Sequence, residues 1–258
     1  MSVESFLSNL GSSLVIRDSE KESIDRSVNT LISRANSWFG GFDGCLVFGS
    51  YKRGTILPRR ADEHSDVDVM MVFDDGDDYK PQTYLSRIKR FAEDQYPRSI
   101  VHQDRPSVVL DMHHIRVEMT PGKNYGIAGY YNIPLDAGSW QLTEPNSFND
   151  DLTRCNSNNR YRVKPVIRLM KRWNVTENNR SMASFELEST LVDALMFRSV
   201  FCSSYVDYLL ASFEAIRWKT NTSRVDAAVA KVKEAVDDES AGYPITALGE
   251  IKEVFREV

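Results

Sequence analysis

With 258 residues, 41% apolar and 27% charged, the chain is long enough to bury a substantial core, as one large domain or two small lobes, and has the make-up of an ordinary soluble globular protein. A net charge of −5 excludes a surface that attracts nucleic acid everywhere, so any anion-binding site must be local and direct nucleic-acid binding is not indicated. Cys45, Cys155 and Cys202 are widely spaced with no CxxC pair, which argues against a disulfide framework or a zinc site and fits a reducing cytoplasm; there is no basic-then-apolar leader and no run of membrane-spanning length.

From about residue 18 to 38, Ile24, Val28, Leu31 and Ile32 recur at helical spacing. GGFDG breaks the chain, CLVF reads as a short buried strand, and GSYKRGT as a turn leading into a short helix. PRRADEHS is a polar loop before the strand DVDVMMVF, which the acidic turn DDGDD closes; residues from about 81 to 95 then look helical. SVVLDM and HIRVEM read as two strands, with PGKNYG a loop after them. Beyond about residue 150 the pattern is mostly helical: YRVKPVIRLMKRWN, SFELESTLVDALMFRSVF, SRVDAAVAKVKEAV and ALGEIKEVFREV. The seam lies around YYNIPLDAGSWQLTEP, where Pro134, Gly138 and Pro145 discourage regular structure. The expected fold is therefore α/β (α+β), with a sheet-bearing lobe over residues 1–135, including an N-terminal helix, and a helical lobe over 136–258.

Asp66 and Asp68 stand one residue apart in DVDVMMVF, so they project to one face of a strand while Val67 and Val69 face a core. Two carboxylates held that close repel unless a cation sits between them, and hard ions such as Mg²⁺ take carboxylates together with substrate phosphates. The alternative is a pair of solvated aspartates on an exposed sheet face. Gly49-Ser50, at a strand-to-turn junction just upstream, lets the backbone approach a phosphate and offers amide N–H groups and a hydroxyl.

The extended pattern, Gly-Ser-x-x-x-Gly-Thr from Gly49 to Thr55, then Pro58, then Ser65-Asp66-Val67-Asp68, resembles the DNA polymerase β-like nucleotidyltransferases. In particular it is similar to the bacterial CD-NTases (SMODS type), relatives of cyclic GMP–AMP synthase and 2′-5′-oligoadenylate synthetase. That resemblance implies a third carboxylate on a neighbouring strand, with Glu118 and Asp111 as candidates. Around Glu118 the alternation is clean, and Glu-Met-Thr-Pro fits the family's frame of an acid before a short apolar pair and a proline, so Glu118 is preferred and Asp111 is the fallback.

In the helical half, Val163, Val166, Ile167 and Met170 form an apolar stripe, and Lys164, Arg168 and Lys171 a basic one. RLMKRWN followed by SFELE resembles the segments with which these enzymes hold a donor triphosphate. By that resemblance Lys171 contacts the β and γ phosphates and Ser184, at the start of the next helix, hydrogen-bonds them. YYNIPLDAGSWQLTEPNSFND is similar to the family's crossover between lobes, and the likeness runs from about residue 45 to 190, with a weaker tail at ALGEIKEVF.

The resemblance implies a two-lobed enzyme with its site in the cleft. Asp66, Asp68 and Glu118 would bind two Mg²⁺ ions, with Mn²⁺ as the alternative, and Gly49, Ser50, Lys171 and Ser184 would bind nucleotide. The product would be a cyclic di- or trinucleotide second messenger made from NTPs (ATP, with GTP or a pyrimidine NTP as further candidates) in bacterial anti-phage (CBASS) signalling. An effector protein would respond to that nucleotide. Two alternatives are a nucleotidyltransferase acting on a protein, RNA or small-molecule acceptor, and a nucleotide-binding regulator without turnover. DDGDD lacks calcium-loop spacing, His113-His114 fits a turn between strands, and PGKNYG lacks the P-loop frame. Tyr125, Tyr130 and Tyr131 are read as packing at the lobe interface, with stacking on a nucleobase as the other use.

Overall fold

Alternation along Asp66–Phe73 decides how the sheet is built. In this computed structural model, which describes residues 1–74, 79–198 and 200–257, the chain opens with α1 (Val3–Ser13), α2 (Asp18–Trp38), β1 (Phe42–Phe48), α3 (Gly49–Arg53) and β2 (Asp66–Phe73). It continues through α4 (Pro81–Gln95), β3 (Ile100–Asp104), β4 (Ser107–Asp111), β5 (Arg116–Asn124), β6 (Tyr131–Pro134) and β7 (Trp140–Thr143). The remainder is helical: α5 (Ser147–Asn158), α6 (Val163–Thr176), α7 (Ser184–Leu195), α8 (Tyr205–Ile216), α9 (Thr222–Ser240) and α10 (Pro244–Val254). Most of the acidic turn expected at DDGDD, residues 75–78, lies outside the described residues.

Two compact units result. One comprises residues 16–53 and 64–147, the other residues 1–15, 54–63 and 148–258. The chain thus crosses between them after residues 15, 53, 63 and 147, where composition alone suggests one passage near residue 135.

In the first unit the described strands form a mixed seven-stranded sheet of order β1-β2-β5-β4-β3, with β6 and β7 attached beyond β5. β2 and β5 run parallel and the other pairs are antiparallel. Val67, Val69, Met71 and Phe73 of β2 and Val117 and Met119 of β5 point into one core, packed against Ile24, Val28 and Leu31 of α2 and Leu85, Ile88 and Phe91 of α4. Each fully buried side chain of this kind contributes roughly 1.5–3 kcal/mol. Because strand side chains alternate, that core forces Asp66 and Asp68, with Arg116 and Glu118, onto the opposite face.

Three expectations need correction. PGKNYG is not all loop: β5 runs on to Asn124, because Pro121, Gly122 and Lys123 stay in register with Met71, Val72 and Phe73 of β2. Gly122 permits this, since a Cβ there would stand 2.6 Å from the Met70 sulfur lying across it. Nor is YYNIPLDAGSWQLTEP irregular. Pro134 ends β6, Gly138 lies in the turn, and the Asp136 carboxylate accepts hydrogen bonds from the Gly138 and Ser139 amides at 2.7 and 2.8 Å before β7 begins. Trp140 then packs edge-on to Tyr84 of α4, with ring centroids 5.6 Å apart. Finally, the helix expected over SFELESTLVDALMFRSVF ends at Leu195, and a new helix starts from a capping box formed by Ser204 and Asp207.

The second unit is built around α6. Its stripe of Val163, Val166, Ile167 and Met170 is buried as the spacing requires, and Trp173 meets Phe213 of α8 edge-on at 5.0 Å. Leu7 and Leu10 of α1 join this core, and Gly11 brings α1 so near α6 that an added Cβ would stand 3.2 Å from Pro165 Cβ.

Candidate active site

β1 pairs with β2 so that Phe48 stands opposite Asp68, which places the β1–α3 junction beside the acids. Gly49 takes a φ of 70°, and a Cβ built on it would fall 1.7 Å from Asp68 Oδ2. The Asp68 carboxylate therefore lies against the bare α-carbon of Gly49, so glycine is required both for the left-handed backbone and for this approach. Ser50 follows at the start of α3, buried.

Parallel pairing sets Asp68 across from Glu118 and Asp66 across from Arg116. The Glu118 carboxyl is hydrogen-bonded to that of Asp66 and is pushed up to about 7. Burial is the main cause; the charges of Asp66 and Asp104 add to it, and Arg116 opposes it. Two carboxyl groups this close repel as anions, and a cation between them would relieve that repulsion. All the donors are hard carboxylate oxygens, so the chemistry of the set fits Mg²⁺ or Mn²⁺. As the side chains stand, no three His, Cys, Asp or Glu among the described residues are gathered into a metal-binding group. Asp68 rests on Gly49, while Asp66 and Glu118 meet one another.

Asp111 ends β4 on the far side of Arg116, and its carboxylate accepts a hydrogen bond from the His113 amide at 3.1 Å. His113 has φ 60° and His114 hydrogen-bonds Ser27, so this pair forms the expected turn between strands. Tyr125 is exposed in the β5–β6 connection and Tyr130 hydrogen-bonds Glu144. The alternation around Glu118 already sets Arg116 on the same strand face but gives it no role; the register with Asp66 brings it among the acids.

In the helical unit the basic stripe of α6 is largely satisfied. Arg168 donates to the Gly11 and Gly54 carbonyls at 3.2 and 3.1 Å, and burial pulls its guanidinium down to about 10. Lys171, its side chain 7% exposed, is paired with Glu188 of α7, which is 0% exposed and also accepts a hydrogen bond from Thr55 Oγ1 at 2.9 Å. Lys164, half-buried, is pulled down by burial and by Arg168 beside it, with Glu188 acting the other way. Ser184 is exposed at the first turn of α7. Glu188 also escaped notice, yet it lies three and seven residues before the buried Leu191 and Leu195, an acid on a core-facing stripe.

Residues 1–156 match the family model described as Second Messenger Oligonucleotide or Dinucleotide Synthetase domain. A curated relative, a "Probable cyclic nucleotide synthase" of Bacillus cereus (strain VD146), is 26% identical over 106 residues, 38% of this chain and 31% of the relative. The chain thus spans about a third of the length of that curated relative. Among solved structures, E. coli MS115-1 CdnC with ATP matches with a TM-score of 0.71 and 16% identity over 98% of this chain and 97% of that one. The same protein has been solved in a complex with HORMA-deltaN. The CdnE cyclic dinucleotide synthase of Elizabethkingia meningoseptica, with GTP and Apcpp, matches with a TM-score of 0.62 and 16% identity over 84% of each chain. At these identities the likeness is one of fold, and it is the mixed-sheet-plus-helices nucleotidyltransferase fold expected from the sequence.

Proposed function

The chain belongs to the second messenger oligonucleotide or dinucleotide synthetase family, and from that premise we propose that it is a nucleotidyltransferase that builds a cyclic di- or trinucleotide from NTPs. The observation that carries this reading is the acid face of β2 and β5: Asp66, Asp68 and Glu118 in register, beside a glycine that the sheet leaves bare. Asp66, Asp68 and Glu118 would hold two divalent ions, Mg²⁺ or Mn²⁺. When bound, such ions neutralise the donor phosphates and acidify the attacking ribose hydroxyl.

The chain's own residues then do the positioning. Gly49, bare so that the Asp68 carboxylate can lie against it, would present its backbone to the donor phosphates, and Ser50 would offer them a hydroxyl. Asp68 is fixed by its contact with Gly49, and Glu118 in its ionised form would complete the carboxylate set. Ser184, exposed on the first turn of a helix, suits a distal phosphate. Lys171 would meet the β and γ phosphates only by sharing or leaving Glu188, so donor binding there is a competition between two anions. In-line attack on the α-phosphorus releases pyrophosphate.

ATP and GTP are the donors proposed first, since relatives have been solved with ATP and with GTP. The setting proposed is anti-phage (CBASS) signalling in the cytoplasm, with an effector that reads the product. No described helix is long and apolar enough to cross a membrane. The test is incubation of the purified chain with labelled NTPs and Mg²⁺, followed by phosphatase. A phosphatase-resistant small product, lost in Asp66→Ala, is the expected result. Label transferred to a macromolecule would move the reading to acceptor modification, and no product of either kind would leave a nucleotide-binding regulator.

A further inference from the structure

Register puts a basic side chain, Arg116, among the acids. Its backbone pairs with Asp66 on one side and Asp111 on the other, and Glu118 follows two residues later on the same face. Its Nη2 stands 3.7 Å from Glu118 Oε1 and 4.0 Å from Asp104 Oδ2. Both separations exceed the roughly 2.7–2.9 Å of a charge-assisted hydrogen bond, so neither carboxylate clasps the guanidinium. Its Nε is buried without a hydrogen-bond partner among the described residues, while the side chain as a whole is 18% exposed. An arginine placed to bind a carboxylate forms a bidentate fork. This one lies within 4.0 Å of two carboxylates, those of Glu118 and Asp104, and its Nε is left without a hydrogen-bond partner among the described residues.

We propose that Arg116 is a resident counter-ion of the acid site, a positioning residue that holds Glu118 in the metal-free protein and opposes the entry of a divalent cation. The inference rests on the reading of Asp66, Asp68 and Glu118 as metal ligands. A fixed positive charge a few ångströms from those oxygens repels Mg²⁺ as surely as it attracts Glu118. Arg116 therefore raises the cation concentration at which the site fills. The exposed carboxylate of Asp104 offers the guanidinium a second partner besides Glu118.

The test measures Mn²⁺ binding by electron paramagnetic resonance, and melting temperature against Mg²⁺, without nucleotide. Arg116→Gln is expected to melt lower than wild type when metal-free, because the acids lose their counter-charge. It should also bind Mn²⁺ about fivefold or more tightly, because the opposing charge is gone. Arg116→Lys, which keeps the charge and loses the fork, should bind Mn²⁺ as wild type does. Unchanged Mn²⁺ affinity in Arg116→Gln, with a lower melting temperature, would make Arg116 a structural ion pair and overturn the proposal. If Arg116→Gln does not fold, Asp104→Asn at an exposed position replaces it. Arg116 then belongs to Glu118 alone and Mn²⁺ should bind roughly twofold to fivefold more weakly; no change there would likewise overturn it. Asp66→Ala, Asp68→Ala separates the two levels. If that double variant binds Mn²⁺ like wild type, the metal-ligand reading itself fails and the proposal falls with it.

Discussion

The acid face of β2 and β5 and the buried pair on α6 and α7 handle charge in opposite ways. On the sheet, the Glu118 carboxyl is hydrogen-bonded to Asp66 and pushed up by burial, Asp68 leans on a bare glycine, and Arg116 lies near without clasping. In the helical unit, Lys171 and Glu188 are paired out of water with Thr55 completing the acceptor, and Arg168 is tied to two carbonyls. A charged group satisfied by its own chain contributes to the fold first. One left crowded by like charges is waiting for something from solution. The contrast is between crowded acids on a sheet face, proposed above as a metal site, and charges built into a core.

Removing the acids should sharpen that contrast most. In Asp66→Ala, Asp68→Ala, product formation should fall by about 10³-fold or more, since the metal contribution amounts to several kcal/mol. The metal-free melting temperature should hold steady or rise as repulsion is relieved. Near-normal turnover in this variant would mean the acids are not the catalytic site.

The buried pair should behave the other way round. Glu188→Ala leaves Lys171 inside without a partner and should destabilise the chain by about 3–5 kcal/mol in urea denaturation. Lys171→Met combined with Glu188→Leu should restore most of the loss, because well-packed apolar replacements remove both charges together. If the single change at Glu188 is silent, the pair is not a structural element and the comparison collapses.

Between these extremes lies Gly49→Ala. An alanine there must adopt a left-handed backbone, costing about 1–2 kcal/mol, and must displace the Asp68 carboxylate. Activity should drop further than that stability loss explains, which a melting curve run beside an activity assay will reveal.

Acidity supplies a subtler effect. Glu118 titrates near 7 in the folded chain and at 4.5 in the absence of its surroundings. The folded state therefore binds more protons across that window, and the stability this group contributes is complete below pH 4.5 and lost as pH rises through 7. Metal-free protein should melt lower at pH 8 than at pH 5.5. Mg²⁺ should narrow the difference, and Glu118→Gln should flatten it. A melting profile for Glu118→Gln that follows wild type would assign the pH dependence elsewhere.

The smallest effect concerns Ser184→Ala, expected to weaken triphosphate binding about twofold to tenfold by loss of one neutral hydrogen bond and to leave monophosphate binding unchanged. Equal loss for both ligands would remove Ser184 from the distal phosphates.

Much of the sheet unit could be read from single residues. The 3.6-residue recurrence from Ile24 to Leu31 outlines α2, and the alternation in DVDVMMVF orients the acids before any neighbour is known. Elements stabilised from outside were harder to see. Nothing local in YNIP or WQLT marks a hairpin; pairing with β5, the Asp136 turn and Trp140 on Tyr84 make one. α8 is absent from the expected helices, although Ser204 and Asp207 have capping-box spacing; the helix expected to end at Phe201 masked it. Of the proposed site, the face that Glu118 shares with Asp66 and Asp68 follows from alternation along the two strands, and the parallel register sets Glu118 across from Asp68. Arg116 and Glu188 could be placed on a face but given no role, because Arg116 meets Asp66 only through the β2–β5 register and Glu188 meets Lys171 only through the packing of α7 on α6.

The parallel register of β2 with β5 also has a consequence in time. Asp68 and Glu118 lie roughly fifty residues apart, so their strands meet only after a long loop closes, whereas β1–β2 and β3–β4 join close neighbours along the chain. The slow, non-local pairing is also the one that drives carboxylates together, and repulsion should be felt as those strands dock. Refolding of this sheet should accordingly run faster when the acids are protonated or Mg²⁺ is present, so that a cation used in catalysis would also act earlier, as an aid to the chain finding its register.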